Sequence, residues 1–401
     1  MNKNRQTILY VDQAVSFGGS IVVLGSLVSA LDKQKFRPVV VGEMSESILN
    51  YHMQDNAVIY VLPRLFNYVQ WFKVTEVARK IRLRFFRKIF LYVLSGIRSL
   101  ANIIYIARLG RIILKEKVDI VHVNNGMNNL EPVIAAILLG RKYIVHFHGV
   151  ERPGFVPRFL RNHVHKYIVI SEYLMEALTE NGFPRERMAV IPNPYQESHA
   201  LSKKSMELRA QYGIEPEDKV FAIVGRIVRW KGHVEFLNAA FIILKAMPEA
   251  KALIIGDFSD GDVAYQNQIQ KMIDDSGYGD RIIMTGYVED VGSIYSIMDV
   301  CVHTSIEPEP FGLVIIEAMA NAVPVIASDR GAPKEIIADG VNGYIVNPDS
   351  VQLIADKVIR LLNDDVLRDK MANNAREHVR QHYNEKDYAH ALEKLYAEVL
   401  S

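Results

Sequence analysis

Residues 307–328 read EPEPFGLVIIEAMANAVPVIAS and set two carboxylates, Glu309 and Glu317, eight positions apart around a Pro-Phe-Gly turn and an apolar run. A carboxylate accepts two hydrogen bonds in the geometry that a vicinal diol donates, so the pair could flank a hydroxyl-rich ligand. FGLV leads into a helix expected over about 314–322, which puts the N–H groups of Phe311, Gly312 and Leu313 at its positive end, where a phosphate could rest. A helix start that favours acids accounts for Glu309 without any ligand. It does not account for the Phe-Gly turn beside it.

Three other stretches carry chemistry. In GRIVRWKG, Arg226 at a strand end and Lys231 five residues later could neutralise a diphosphate, although exposed cations after a strand are common, and Arg229 between them reads as solvated. SFGGS brings Gly18 and Gly19 to the start of a helix near Ile21, either as a tight turn or as a backbone cradle for an anion. HFHG places His148 at the end of a strand; His146 is expected on the opposite face as a structural residue. Asp260-Gly261-Asp262 has the DxD form of a metal site, but lies just past an apolar run where Asp and Gly make turns, and a turn is the reading preferred.

These stretches all follow short apolar runs. TILYVD, RPVVVG, IVHV, YIVHFH, YIVIS and MAVIP fill the first half, and KVFAIVGR, KALIIGD, DRIIMTGY, DVCVHTS, PVIASD and GYIV the second, with amphipathic segments between. That is the pattern of strands buried on both faces and joined by helices, and in such sheets ligands sit at the carboxyl ends of the strands. A chain of 401 residues exceeds what one core usually supports, and 49% hydrophobic with 23% charged residues excludes a disordered chain, so two α/β domains are expected. The polar segment over about 195–217 is the expected linker. DYAHALEKLYAEVL offers Tyr388, Leu392, Leu395 and Leu400 as the apolar face of a closing helix. Cys301, the single cysteine, rules out an internal disulfide and sits in an apolar run as a buried thiol.

EPEPFGLVIIEAMANAVPVIAS closely resembles the E-x(7)-E signature of the family 4 retaining glycosyltransferases. GRIVRWKG looks like their diphosphate segment, SFGGS like their N-terminal glycine loop, and MAVIPNPYQ like the end of their first domain, with Asn193-Pro194 where Asn-Gly is usual. The resemblance implies a GT-B fold, two Rossmann-like doubly wound domains facing a deep cleft: 1–197 binding the acceptor, 198–384 binding a nucleotide-sugar, and 385–401 a helix packing back towards the first. By the same resemblance Glu317 binds the nucleotide ribose and Glu309 the donor sugar near its reacting carbon. Arg226 and Lys231 hold the diphosphate, and the amides of Phe311 to Leu313 meet sugar and phosphates. Val288, in TGYV, lies beside the base, His148 near the donor sugar, and Gly18 and Gly19 approach phosphates or acceptor. No cofactor and no metal are expected. The implied reaction moves a sugar from a UDP- or GDP-sugar to a hydroxyl of a glycan or lipid-linked glycan, with retention, in cell-surface polysaccharide or glycolipid synthesis. An epimerase or phosphorylase on the same fold, or a non-catalytic nucleotide-sugar or lipid binder, are the alternatives.

Charge is uneven: residues 64–117 hold thirteen Lys and Arg against Glu76 and Glu116, in a chain whose net charge is +1. If residues 79–94 are helical, Lys80, Arg84, Arg87 and Lys88 share one side and Ile81, Phe85, Phe86, Ile89, Phe90 and Val93 the other. Such a helix either packs on the core or lies on an anionic membrane. MNKNRQTILYVD lacks a signal-peptide core and no apolar run reaches a membrane span, so the expectation is a cytoplasmic protein, either free or peripheral on the inner membrane face. No nucleic-acid motif accompanies the charge, and nucleic acid is not expected as a partner.

Overall fold

The computed structural model describes residues 5–13, 19–53, 56–64, 84–152, 155–195, 204–258, 262–288 and 290–401. The chain divides into two units: Met1–Ile170, Met175–Ile191 and Tyr388–Ser401 form the first, and Ser171–Leu174 with Pro192–Asp387 the second.

The first unit is built on seven parallel strands, β1 (Gln6–Asp12), β2 (Phe36–Gly42), β3 (Val58–Val61), β4 (Ile120–Val123), β5 (Lys142–Phe147), β6 (Lys166–Val169) and β7 (Met188–Val190). Their order is β3-β2-β1-β4-β5-β6-β7. Ile8, Leu9, Tyr10 and Val11 of β1 are fully buried, as a central strand covered on both faces requires. The chain builds outward from β1 to β3 and then returns to β1's other side with β4, so the order reverses between β1 and β4. Sequence reading missed β3: it is an edge strand of four residues, with Val58 and Val61 exposed, too short for an alternating pattern to stand out.

The second unit holds six parallel strands, β8 (Lys219–Val224), β9 (Ala250–Ile255), β10 (Ile282–Gly286), β11 (Val300–His303), β12 (Val325–Ser328) and β13 (Gly343–Val346). They run β10-β9-β8-β11-β12-β13, with the reversal between β8 and β11. Phe221, Ile254, Val300 and Ile326 from four of these strands pack with Phe236 and Leu237 of the helix His233–Ala246 in one core. Cys301 is fully buried in β11, where desolvation pushes its thiol up to about 12. The segment expected as a linker contains the helix Lys204–Gln211.

The last helix, Glu385–Leu400, buries Tyr388, Leu392, Leu395, Tyr396 and Val399, while Leu400 stays half-exposed. Its part within the first unit is bonded there: the Tyr396 hydroxyl lies 2.8 Å from His122 Nδ1 and 3.1 Å from that of Tyr10. The second unit is thus an insertion, and its entry and exit are tied by the Tyr195 N–H donating to the Tyr383 carbonyl at 2.7 Å.

Candidate active site

The strand order reverses between β8 and β11, the place where open parallel sheets hold ligands, and the loops that follow these two strands carry the candidate residues. From β8 comes the loop carrying Lys231, which ends the short 3-10 turn Arg229–Lys231. Gly232 then turns left-handed, at φ +73°, and starts the helix His233–Ala246. A Cβ there would stand 1.9 Å from the Thr304 carbonyl oxygen, so only glycine lets this loop lie against the end of β11. Thr304 completes the contact by donating through Oγ1 to the Gly232 carbonyl at 2.8 Å.

From β11 comes Glu309, 7% exposed. Its Oε2 accepts from Lys231 Nζ at 2.6 Å, His303 Nε2 at 3.0 Å and Ser305 Oγ at 3.2 Å. Burial acts to raise this carboxyl, but the His303 hydrogen bond and then the Lys231 charge outweigh it and hold it at about 2. The backbone is fixed as well: Glu309 N–H donates to the Arg330 carbonyl and its own carbonyl accepts from Ala332 N–H. Between those two, Gly331 adopts φ +85°, and a Cβ would meet the Glu309 carbonyl oxygen at 2.4 Å. Beneath Lys231, the Trp230 ring lies 4.1 Å from Nζ, within cation–π range.

The helix expected over 314–322 is Leu313–Ala320, begun by Gly312 at φ +109°. Its first N–H groups therefore point out beside Glu309's loop. Phe311 is 4% exposed and its ring packs on Tyr383 at 5.9 Å, so only its backbone is available to a ligand. About one turn into the helix, Glu317 accepts from the Tyr295 hydroxyl at 3.0 Å; desolvation raises its carboxyl above the ordinary value, offset in part by that hydrogen bond. Arg226 is exposed and makes no hydrogen bond or ion pair among the described residues. Val288 follows the edge strand β10, half-exposed, next to Tyr287 at 63% exposure. Arg229 is not simply solvated: it pairs with Asp262 at 2.7 Å and covers the Tyr265 ring. Asp262 caps the helix Val263–Asp275 by accepting from Tyr265 N–H, while Asp260 and Gly261 lie outside the described residues.

In the first unit, Asp12 at the end of β1 accepts from Asn124 at 2.8 Å and Asn125 at 2.7 Å, across that unit's own reversal point. His148 Nε2 lies 3.3 Å from Asn124 Oδ1, and desolvation holds its ring at about 4, neutral at pH 7. The expectation that His146 points the other way is wrong. Residues two apart share a face, and the His146 and His148 rings lie 4.2 Å apart. His146 is buried, as a structural residue should be, and its Nδ1 is 3.3 Å from His122 Nε2. Gly19 opens the helix Gly19–Ala30, two residues before the expected start; Gly18 lies outside the described residues.

Two family models match the chain in succession. "Glycosyltransferase Family 4" matches residues 17–198, and "Glycosyl transferases group 1" matches residues 204–378. The chain belongs to the family 4 glycosyltransferases. Among the curated relatives of this glycosyltransferase is the N-acetyl-alpha-D-glucosaminyl L-malate synthase of Bacillus anthracis, 25% identical over 305 residues, which are 73% of this chain and 78% of that one. This chain's fold is similar to that of Anabaena Alr3699/HepE, solved in complex with UDP and glucose, at a TM-score of 0.80, 20% identity and coverage of 98% of this chain and 100% of that one. The Rickettsia africae glycosyltransferase gives 0.80 at 21% identity, covering 99% of each. The architecture is the two-domain α/β GT-B fold.

Residues that sequence reading passed over hold the candidate site of this glycosyltransferase together. His303 and Ser305 sit in DVCVHTS, read as strand and core, and Gly232 and Gly331 are set by backbone contacts to residues far along the chain. The one available signal was a histidine at the carboxyl end of a buried strand.

Proposed function

We propose that this glycosyltransferase moves a hexosyl group from a UDP- or GDP-sugar to a hydroxyl of a glycan or lipid-linked glycan, with retention and without a metal, in cell-surface polysaccharide or glycolipid synthesis. The observation that carries the reading is the Lys231–Glu309 pair at the β8/β11 reversal, beside the helix start at Gly312 and with Glu317 on the same helix. Breaking a sugar–phosphate bond puts negative charge on the nucleotide and positive charge on the anomeric carbon. Lys231, Arg226 and the N–H groups of residues 311–313 serve the first need. Glu309 serves the second, and Glu317 accepts the ribose hydroxyls. The acceptor oxygen bonds to the anomeric carbon on the face that the phosphate leaves, and the departing phosphate oxygen takes the acceptor's proton. The Anabaena structure, with UDP and glucose in it, supports UDP-sugars as the first donors to try.

Thermal stabilisation by UDP-, GDP- and ADP-sugars, with a chelator present, tests the reading, because a ligand of the folded state alone adds about 2.7 kcal/mol at a hundred times its Kd. Stabilisation by one nucleotide class is expected, followed by transfer to a simple glycoside whose new bond keeps the donor's anomeric configuration. In Glu317→Ala, loss of a charged acceptor of hydrogen bonds should weaken that nucleotide about tenfold or more. An inverted product would refute retention. An epimerised sugar made from donor alone, or release of sugar 1-phosphate, would favour the alternative enzymes, and silence with every donor a binding protein.

The membrane side of the proposal rests on the helix Arg84–Lys115. Most of its expected face, over residues 79–94, lies outside the described residues or side chains, but the helix runs on. Ala101, Tyr105, Leu109 and Ile113 turn inward, whereas Ile97, Leu100, Ile103, Ile104 and Leu114 are 45% to 61% exposed. Arg108, Arg111 and Lys115 are exposed among them. No helix among the described residues is long and apolar enough to cross a membrane. Apolar and basic groups together on an outer face suit the surface of an anionic bilayer, peripheral on the cytoplasmic side. Cosedimentation with phosphatidylglycerol vesicles should fall about fivefold for each of Arg108→Gln and Arg111→Gln, at roughly 1 kcal/mol per cation. Equal binding to neutral vesicles would refute the electrostatic part.

A further inference from the structure

Glu309 is held by one oxygen. Lys231, His303 and Ser305 all meet Oε2, and Oε1 accepts no hydrogen bond among the described residues. Of the three donors, Lys231 has a competing task under the function proposed above, on which this inference rests: its ammonium faces the diphosphate. A cation drawn toward phosphate is drawn from Glu309. The other two have no such task. His303 is 4% exposed and Ser305 fully buried, and Ser305 Oγ lies 3.0 Å from His303 Nε2, so the two donors brace each other beneath the carboxylate.

Proton placement follows from the partners. An ionised carboxylate only accepts, so the His303 ring must present a proton on Nε2, and Nδ1 is left to find its own partner. That Nδ1 is buried with no partner among the described residues, a cost that the interior of a strand would otherwise avoid. The ring's polar use is therefore all at Nε2. We propose that His303 and Ser305 are positioning residues for Glu309: they pin Oε2 so that Oε1 stays aimed at the bound sugar while Lys231 turns to the diphosphate.

The electrostatics agree with the geometry. After burial itself, the His303 hydrogen bond is the largest influence on the Glu309 carboxyl, ahead of the Lys231 charge. The ionisable groups facing the carboxylate are Lys231 from the loop after β8 and His303 from β11. Arg330, whose carbonyl meets the Glu309 N–H, turns its guanidinium away to the Ile306 carbonyl and Asp349.

The test compares full-length His303→Leu, His303→Gln and Ser305→Ala with the parent. Glu309's ionisation is followed by the carboxylate infrared band, taken as a difference from Glu309→Gln, which needs neither donor nor acceptor. In His303→Leu the midpoint should rise by about one pH unit or more, since burial is then less opposed. Turnover at pH 7 should fall about tenfold, the loss of a hydrogen bond to a charged group, while stabilisation by UDP stays within about twofold. Gln, which can place an N–H near the same point, should restore much of both. Ser305→Ala should give a smaller shift in the same direction, and serves alone if the Leu variant does not fold. An unmoved midpoint in the variants would overturn the proposal, as would a loss of turnover that Gln does not repair. A moved midpoint in a protein that transfers no sugar would sink the proposed function and leave the pinning intact.

Discussion

Glu309→Gln should leave a folded protein whose kcat for sugar transfer has dropped about 10²–10³-fold, the usual loss when one preorganised electrostatic partner is removed from a transition state. Gln keeps the shape of the side chain, removes its charge and turns one acceptor oxygen into a donor NH2; with its remaining oxygen towards Lys231, His303 and Ser305, donor binding should change little. The effect belongs in kcat, because positive charge at the anomeric carbon develops as the bond breaks. A variant that lost donor affinity and kept kcat would place Glu309 in ground-state binding instead.

The same substitution should alter stability against pH. Burial, opposed by His303 and Lys231, leaves the Glu309 carboxyl at about 2, below its ordinary 4.5. A carboxyl depressed on folding stabilises the native state above the unfolded value, and that contribution fades as pH falls from about 4.5 to about 2. It amounts to roughly 3 kcal/mol. Urea unfolding at pH 6 and at pH 3 should therefore show the parent losing more stability than Glu309→Gln over that interval. A constant difference between them would mean that the unfolded chain holds the same proton affinity.

Gly232→Ala is the second large effect expected, and it acts through backbone alone. Alanine would have to adopt φ +73° with its methyl carbon 1.9 Å from the Thr304 oxygen, so the loop must lift off β11 or the left-handed turn must open. Left-handed strain of about 1–2 kcal/mol and overpacking of about 1–3 kcal/mol together suggest a loss near 3 kcal/mol. Either relaxation moves Lys231 relative to His303, Ser305 and Glu309, so turnover should fall along with the melting temperature. Unchanged melting and turnover in this variant would show that the turn relaxes without carrying Lys231 with it.

What the sequence made legible was the chemistry of residue types in local patterns. The eight-residue spacing of Glu309 and Glu317, and the glycine between them, survive as drawn because one turn and one helix separate them. The Lys231–Glu309 pair was not readable as a pair: its members lie 78 positions apart and meet because β11 returns to pair with β8. His303 was hidden by its neighbours, since Val300, Cys301 and Val302 make that strand look like core and nothing else. Gly331 gave no signal, its need being set by the backbone of Glu309. The error over His146 was one of geometry, the period of two having been applied as though it were one.

The insertion of the second unit has a consequence for how the protein is made. The ribosome releases the first unit's closing piece, Tyr388–Ser401, only after all of Pro192–Asp387 has emerged. Until then Tyr10 and His122 lack their Tyr396 partner, and the apolar surface that Leu392 and Leu395 will cover stands open. The nascent chain thus holds an unfinished first unit while the second, whose ends are already tied at Tyr195 and Tyr383, can complete itself. Synthesis order, first to last along the chain, is the reverse of the order in which the two cores can close.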